Sequence, residues 1–335
     1  MTASAPAAAA RPRGRTIAAF FRDQPLIPLS FLLIGLVVAL ELIQPGTVNS
    51  GWVGVTVRAA IPLAILGACQ TLTMLTGGID LSVGMIASMA AFIMATQTPL
   101  QGPAVAIVLG LAAAALAGLI NGIGIGVFKV HPLIMTLGMS LVILGVMTVY
   151  QLAVVQTGTK VPDILQWLGS ETTKLLPGDL IVLPNSLIVF VPLAALIIGG
   201  LRYSGFGRLL FALGDNAVAA RLAGVRVWAV LLTLYILSAL LAAVAGYLVA
   251  GLAKTATVSL VEQSVLPAVA ASVIGGTSIL GGRGAYSGTI IGALVLIVTT
   301  SLLLALQMPE AVRQVLFGLI IVTVAAAYTR VTGET

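Results

Sequence analysis

Charge is the property that this chain has least of. Only 8% of its 335 residues are charged, whereas 59% are hydrophobic and the mean hydropathy is +1.16. A soluble domain carries about 25% charged residues. The composition therefore indicates an all-α polytopic membrane protein. With so few charges, the net charge of +6 gives no support for a nucleic-acid partner.

Groups that bind metals or perform catalysis are also scarce. The single cysteine, Cys69, excludes an internal disulfide and a cysteine-based metal cluster, and the single histidine, His131, excludes a His-rich metal site. The sequence contains no Gly-x-x-x-x-Gly-Lys-Ser/Thr motif, so the chain does not bind ATP through a P-loop. We therefore expect neither an enzyme nor a site for a metal or another cofactor.

Long runs with little or no charge are what the chain has in abundance. A helix needs about 20 mostly apolar residues to cross a bilayer. Ten runs with at most one charged residue each approach or exceed that length: 26–44, 57–76, 82–97, 103–128, 132–155, 181–201, 228–250, 264–277, 286–306 and 311–328. The runs 82–97 and 264–277 are short and adjoin glycine clusters, which predicts half-helices or re-entrant segments. We expect about ten transmembrane helices within residues 25–330, after a disordered N-terminal segment, 1–24.

The positions of lysine and arginine predict the orientation of these spans. Basic residues concentrate in cytoplasmic loops, and eleven of the 16 in this chain fall on one side of the predicted spans. That side holds both termini and the loop 202–227. The loop 156–180 is then on the periplasmic side. Its segment Ile164–Leu168 is a candidate for a short helix at the membrane surface.

The loop 202–227 contains signals for a short helix. Asp215 or Asn216 is a suitable N-cap. The residues Ala217–Leu222 are good helix formers, and Gly224 is a C-terminal stop. Arg221 would lie near the C-terminal end of this helix. Composition equally allows a solvated loop that is basic only because it faces the cytoplasm.

One acidic residue lies clearly inside an apolar region. It is Asp80, and the small residues around it are Gly77, Gly78, Ser82 and Gly84. A charged side chain at the centre of a membrane helix costs roughly 2.5–3.5 kcal/mol. The glycines weaken the helix, and Asp80 or Ser82 can accept from the freed backbone N–H groups of a new helix. The stretch predicts a helix that stops and restarts, with Asp80 either on a substrate pathway or in a structural cap.

A second glycine cluster echoes the first. The spacing from Gly78 to Gly84 recurs from Gly276 to Gly282. Paired glycine interruptions in a transporter mark its substrate pathway, although tight turns also need glycine. We favour the pathway, whose candidate residues in this second cluster are Gly275, Gly276, Thr277 and Ser278.

Glycine also recurs inside one predicted span. Gly118, Gly122 and Gly126 are spaced by four residues, so they share one helix face and predict close helix packing. The same residues superficially match a dinucleotide-binding loop. No strand precedes them and no acidic residue follows at the needed distance, which excludes that interpretation.

Three stretches resemble the ribose-type monosaccharide permeases of bacterial ABC importers, within the branched-chain amino acid/ribose permease superfamily. They are Thr76–Gly84, Gly214–Val225 and Val273–Gly284, in the family's order, within about 55–325. The resemblance implies a type II ABC importer-like fold with broken helices. The second stretch looks like the family's cytoplasmic coupling loop, with Ala217-Val218 where Pro-Glu is common. The implied ATPase contacts are Gly214, Asp215, Asn216, Ala219, Ala220, Arg221 and Gly224.

The resemblance further implies a permease subunit of the bacterial inner membrane, surrounded by membrane lipid. It would pair with a second permease copy as a homodimer or heterodimer, and work with a cytoplasmic ABC ATPase and a periplasmic or lipid-tethered sugar-binding protein. Related amino-acid permeases usually have asparagine at the position of Asp80, so the aspartate favours a monosaccharide or small polyol. An amino-acid or nucleoside permease of this architecture and an ion-coupled carrier are the alternatives.

Overall fold

A computed structural model describes residues 26–154, 158–174, 182–309, 311–312, 314–316 and 318–319. The predictions for the N-terminal segment 1–24, for parts of the loop 156–180 and for most of the run 311–328 lie outside these residues. The described part is a helical bundle with one small β-ribbon, in which β1 (Thr172–Lys174) pairs antiparallel with β2 (Val182–Pro184).

Most of the helices coincide with one of the predicted apolar runs. In chain order they are α1 (Leu26–Ile43), α2 (Ser50–Met74), α3 (Val83–Gln101), α4 (Pro103–Gly126), α5 (Pro132–Val154), α6 (Asp163–Ser170), α7 (Leu187–Tyr203), α8 (Gly205–Leu222), α9 (Val227–Ala253), α10 (Val265–Ile274) and α11 (Tyr286–Ala305). A 3₁₀ turn, Glu262–Ser264, leads into α10. The short helix predicted at Ile164–Leu168 is present as α6.

Seven helices in the described part are long and apolar enough to cross a membrane: α1, α2, α3, α4, α5, α9 and α11. The pair α7 and α8, bent by 65° at its break, makes an eighth when it is counted as one span. The apolar helix Glu262–Ile274 is too short to span alone. Together with the run 311–328, most of which is not described, this agrees with about ten spans in a multi-pass membrane protein.

The prediction that run 82–97 is a half-helix is wrong. Helix α3 has 19 residues, because the polar residues that follow the run continue the helix instead of ending it. The Thr98 hydroxyl donates to the Met94 carbonyl at 2.7 Å, and Gln101 Nε2 donates to Gln97 Oε1 at 2.9 Å. By contrast, α10 is short, with ten residues, as expected for the run 264–277.

Helix α2 also begins earlier than the predicted run 57–76, at Ser50. Asn49 caps it, since its Oδ1 accepts from the Trp52 N–H at 3.0 Å. Arg58 lies inside the helix, where its guanidinium donates to the Ser170 carbonyl of α6. A charge therefore does not end a membrane helix when the folded chain supplies a partner for it.

Helix α9 packs at the centre of the bundle, against α4, α2 and α3. The close packing predicted from the glycines of α4 is confirmed. A Cβ at Gly118 would lie 2.5 Å from the Tyr235 carbonyl oxygen, and one at Gly122 would lie 2.7 Å from Leu232 Cα. Only glycine allows the two backbones to approach this closely.

The bundle has two ends that the following sections distinguish. The α6 end holds α6 and the β-ribbon, and the first turns of α2 and the last turns of α9 reach it, as Arg58 and Gly251 show by their contacts with α6. The α8 end holds α8, the α2–α3 break (75–82) and the α10–α11 break (275–285). The exposed basic residues at the α8 end are Lys129, Arg202, Arg208, Arg221, Arg226 and Arg283.

Candidate functional site

The α2–α3 break stops and restarts the chain as the sequence predicted. Helix α2 ends at Met74, Gly77 adopts the positive φ of +76°, and α3 begins at Val83. The carbonyl oxygens of the last turn are satisfied by the turn itself: that of Met74 accepts from Gly77 and that of Thr73 from Gly78. The irregular backbone is therefore buried in protein without losing these hydrogen bonds.

Asp80 lies at the centre of this break and is only 1% exposed. Its Oδ1 accepts from the Ser82 backbone N–H at 2.9 Å and from the Ser82 hydroxyl at 2.6 Å. Its Oδ2 accepts from the Ser238 hydroxyl of α9 at 3.4 Å. Asp80 thus pairs with a backbone N–H freed at the restart, whereas Ser82 makes no capping bond to α3.

Three further polar side chains support the Asp80 segment, and sequence reasoning missed all of them together with Ser238. Gln70 of α2 donates from Nε2 to the Asp80 carbonyl at 2.7 Å. Asn121 of α4 donates to the Ser82 hydroxyl at 2.9 Å, and Thr136 of α5 accepts from the Leu81 N–H at 3.0 Å. A buried amide in an apolar span is the signal that would have identified Gln70 and Asn121.

The Asp80 network therefore joins five helices, α2, α3, α4, α5 and α9. Hydrogen bonds are strong in a buried, low-dielectric site, so this network fixes where α3 restarts, although the buried Asn121 Oδ1 has no hydrogen-bond partner in it. Asp80 and Ser82 are both sealed from solvent in the described conformation. Gly84 packs against Val265 of α10, where a Cβ would lie 2.5 Å from a Val265 methyl group.

The two glycine clusters meet at the α8 end. The Gly282 N–H donates to the Leu75 carbonyl oxygen at 3.0 Å, and a Cβ at Gly281 would lie 3.0 Å from the Gly77 nitrogen. Gly214 of α8 lies against both, since a Cβ there would be 1.9 Å from the Leu75 oxygen and 2.2 Å from the Gly282 nitrogen. We call these five residues, Leu75, Gly77, Gly214, Gly281 and Gly282, the glycine junction.

The remaining candidates of the second cluster surround the turn that leaves α10. Gly275 packs against the first turn of α11, and Gly276 is exposed with a φ of +89°. Thr277 and Ser278 are buried; the Ser278 backbone N–H donates to the Arg283 carbonyl at 2.9 Å. This break contains no acidic side chain.

Helix α8 carries the predicted cap and stop, but it is longer than predicted. It starts at Gly205, where the Ser204 hydroxyl accepts from the Gly207 N–H at 3.0 Å, and it bends at Asn216. Asn216 Oδ1 accepts from the N–H groups of Val218 and Ala219 at 3.0 and 2.9 Å, so Asn216, and not Asp215, caps the part after the bend. That part ends at Gly224, with a φ of +87°.

The segment after the bend, 216–224, exposes most of its candidate contact residues. Ala219, Arg221 and Gly224 are exposed, as is Asp215 just before it, whose side chain lies against Gly282. Ala220 is buried against the chain's own apolar cluster of Leu213, Val230 and neighbours. An external partner would therefore meet one face of the segment, and Ala220 faces away from it.

Separately, a cavity of about 530 Å³ lies between α2, α9, α10 and α11. Its walls are mostly apolar, Gln263, Ser264, Thr300 and Gln314 supply polar groups, and Gly318 completes the lining. None of its lining residues belongs to either glycine cluster. The structure thus separates the residues predicted for one pathway from the cavity that is wide enough to hold a small molecule.

Comparison with known proteins gives consistent matches over most of the chain. A family model described as the branched-chain amino acid transport system permease component matches residues 53–325. The fructose import permease protein of Rhizobium meliloti is 33% identical over 314 residues, which cover 92% of this chain and 86% of that protein.

Two proteins of Escherichia coli (strain K12) are similarly related. The ribose import permease protein is 36% identical over 236 residues, 70% of this chain and 71% of that protein. The galactofuranose transporter permease protein is 33% identical over 286 residues, 84% and 81% of the two chains. No solved structure matches the chain.

Proposed function

This chain belongs to the permease component family of branched-chain amino acid transport systems, as a permease subunit of an ABC importer, and we propose that it carries a monosaccharide or similar small polyol. The observation that carries the proposal is that relatives matching 70–92% of the chain are named for fructose, ribose and galactofuranose. ATP hydrolysis belongs to separate ATPase subunits. Such permeases work with an ATPase and a binding protein.

We further propose that the α8 end faces the cytoplasm of a bacterial cell, with the permease in the inner membrane and both termini inside. The six exposed basic residues at that end support this orientation, because basic residues are retained on the cytoplasmic side. The permease would act as a pair with a second permease copy and meet its binding protein at the α6 end.

The segment 216–224 is our candidate for the contact with the ATPase. It is a capped helix whose exposed face carries Ala219 and Arg221. A helix this short is marginal in water by itself. The first part of α8 supports it, because the two parts are continuous through the bend at Asn216. Arg221 is available to pair with an acidic group of the ATPase.

The glycine junction connects this contact mechanically with the two helix breaks. Gly214 lies two residues before the bend and touches the backbones of both breaks, at Leu75 and Gly282. A displacement of α8 by ATPase closure would therefore move the α2–α3 and α10–α11 breaks together, because backbone packed at these distances cannot yield independently. Asp80 would then act by holding α3 in register with the first break, as a positioning residue.

Reconstitution tests both levels of the proposal. The permease, its ATPase and its binding protein are placed in vesicles, and ATP-dependent uptake of radiolabelled ribose, fructose, galactofuranose and leucine is compared. Uptake of a sugar and not leucine is the expected result. Uptake of leucine alone would instead establish an amino-acid permease, and uptake driven by an ion gradient without the ATPase would establish a carrier.

Coupling is tested in the same vesicles with Arg221→Glu and Ala219→Trp. Both should abolish the stimulation of ATP hydrolysis by loaded binding protein, while the protein still inserts in the membrane. The control is Lys129→Glu, which reverses an exposed charge at the same end but in the α4–α5 turn. If both variants keep wild-type stimulation, segment 216–224 is only a basic surface loop.

A further inference from the structure

The 530 Å³ cavity occupies the half of the bundle nearer the α6 end. On α2 it extends from Ala59 to Leu66. Ala59 is next to Arg58, whose guanidinium reaches α6. On α9 it is lined by Val249 and Leu252, and Gly251 between them packs on α6. Its position on these two helices shows that it begins near the surface of the α6 end and extends toward the middle of the bundle.

Toward the α8 end, the same helices close against one another. The Ser272 hydroxyl of α10 donates to the Gly67 carbonyl of α2 at 2.9 Å, one residue beyond Leu66. The hydroxyls of Thr71 and Thr289 lie 2.7 Å apart, and a Cβ at Gly67 would be 2.6 Å from the Thr289 methyl group. This hydroxyl layer of Thr71, Ser272 and Thr289 seals α2, α10 and α11 together beneath the cavity.

The chemistry of the cavity suits an uncharged molecule with hydroxyl groups. The Gln263 amide can both donate and accept, and the Ser264 hydroxyl makes no capping bond to α10. Thr300 donates to the Leu296 carbonyl at 2.9 Å, which leaves its oxygen free to accept. Gln314 is a further amide in the lining, and aliphatic side chains such as Leu63 and Ile297 form most of the remaining walls.

Charge discriminates between the two substrate classes that the comparisons raise. None of the described residues that line the cavity is charged. Among these described residues, the ammonium and carboxylate groups of a free amino acid would find no ionic partner to offset their lost hydration, which is costly. A monosaccharide has only hydroxyls to satisfy, and the volume falls within the about 300–1,000 Å³ of small-molecule sites.

We propose that this cavity is the vestibule that receives the sugar from the binding protein, with Gln263, Ser264 and Thr300 as its hydroxyl-binding groups. The hydroxyl layer beneath it is the closed gate, which separates the vestibule from the glycine junction. Four polar side chains, these three hydroxyl-binding groups and Gln314, among apolar walls bind weakly, as a transit site requires, because the substrate must leave as well as enter. This inference rests on the proposed sugar transport.

The first experiment fills the cavity. Thr300→Trp should reduce sugar uptake in the reconstituted complex by more than tenfold, while loaded binding protein still stimulates ATP hydrolysis, because the coupling segment lies at the other end. Thr148→Trp is the matched control, since Thr148 also bonds the carbonyl four residues earlier on its helix but faces outward on α5. Uptake should be unchanged there. Normal uptake by Thr300→Trp would overturn the proposal.

The second experiment needs no bulky substitution. Cys69 is the chain's one cysteine and is buried, so a thiol introduced by Ser264→Cys is the only accessible one in that variant. The control variant is Gln101→Cys, which places a thiol at an exposed position. A small impermeant thiol reagent should label both from the α6 end, and the transported sugar, supplied on its binding protein with a trapped ATPase, should protect only Ser264→Cys. Protection of neither thiol would overturn the proposal. Labelling of Ser264→Cys only after lipid is stripped would assign the cavity to lipid, and labelling only after the permease pair is dissociated would assign it to the second copy. The proposed function fails separately, if the wild-type complex takes up no sugar.

Discussion

The α2–α3 break and the α10–α11 break carry the same pair of glycines and differ in everything around them. The first is filled by Asp80, which is buried and held by serines from its own segment and from α9. The second has no acidic side chain, exposes Gly276 and Arg283, and closes on itself through the Ser278–Arg283 backbone bond. Both touch Gly214 at the glycine junction.

This difference shows that a glycine pair specifies where a membrane helix stops but not which interactions stabilise the break. At the first break a buried polar network fixes the start of α3 among four other helices. At the second, the turn is short of partners from elsewhere and depends on close backbone contact with Leu75 and Gly214. We therefore expect the first break to be sensitive to lost hydrogen bonds and the second to added volume.

The largest effect is expected from Asp80→Leu at the first break. Removal of the Asp80 carboxylate leaves the Ser82 N–H and the hydroxyls of Ser82 and Ser238 without their acceptor in a buried site. Each unpaired buried donor costs about 1–3 kcal/mol, so the free energy of unfolding should fall by about 3 kcal/mol or more. The measurement is the yield and thermal unfolding midpoint of the purified protein in detergent.

Asp80→Asn is the conservative partner of that variant. Its amide oxygen can still accept from Ser82, and its NH₂ can donate to the Ser238 oxygen, so most of the stability should return. Reduced uptake in a stably folded Asp80→Asn would then indicate a role beyond packing. Equal destabilisation by both substitutions would contradict the network described for this break.

A smaller effect is expected from adding one methyl group to each break. Gly281→Ala places a Cβ 3.0 Å from the backbones of Gly214 and Gly77 at a φ of +98°, whereas Gly77→Ala has a φ of +76° but an ordinary 3.4 Å contact. The left-handed conformation alone costs roughly 1–2 kcal/mol for alanine, and overpacking adds about 1–3 kcal/mol at Gly281. The midpoint should fall further for Gly281→Ala.

Two further substitutions sharpen the same measurement. Asparagine tolerates the left-handed region, so Gly77→Asn should recover stability relative to Gly77→Ala, while Gly281→Asn should not, because its Cβ still collides. Gly138→Ala on α5 is the control, since a Cβ there meets nothing within 4 Å. Equal losses at Gly77 and Gly281 would show that backbone conformation and not the junction determines the cost.

The smallest effect is expected in the hydroxyl layer, whose residues lie on the helices that flank the two breaks. Thr71→Val removes the 2.7 Å contact with Thr289 and should cost about 1 kcal/mol. Thr71→Val combined with Thr289→Val replaces both partners by groups of similar shape, so the pair should cost less than the sum of the two single variants. A double-mutant cycle on unfolding midpoints measures this coupling, and strict additivity would argue against it.

Local signals made much of this architecture predictable. The apolar runs located most of the spans, because a bilayer-crossing helix has a fixed length and excludes charge. Gly77 and Gly78 predicted the stop after α2, and Asn216 and Gly224 predicted the cap and end of the last part of α8. Each of these signals acts within a few residues of where it occurs.

The wrong boundaries have an equally physical origin. The predicted runs begin at Val57 and end at Gln97, too late for α2 and too early for α3, although polar residues at these ends have partners: the Ser170 carbonyl for Arg58 and the Gln97 side chain for Gln101. The sequence shows the cost of a polar group in a membrane helix but not the distant atom that offsets it.

By itself, then, the sequence determined that this is a helical membrane protein, roughly where its helices lie, and where two of them break, because hydropathy, glycine and capping act locally. Only the tertiary structure decided that Asp80 would be buried against Ser238, 158 residues away, and that Gly214 would touch both breaks. It also decided that the cavity would be lined by Gln263 and Thr300, away from either glycine cluster. These features depend on which helices pack together, and that is set by contacts between segments far apart in the chain.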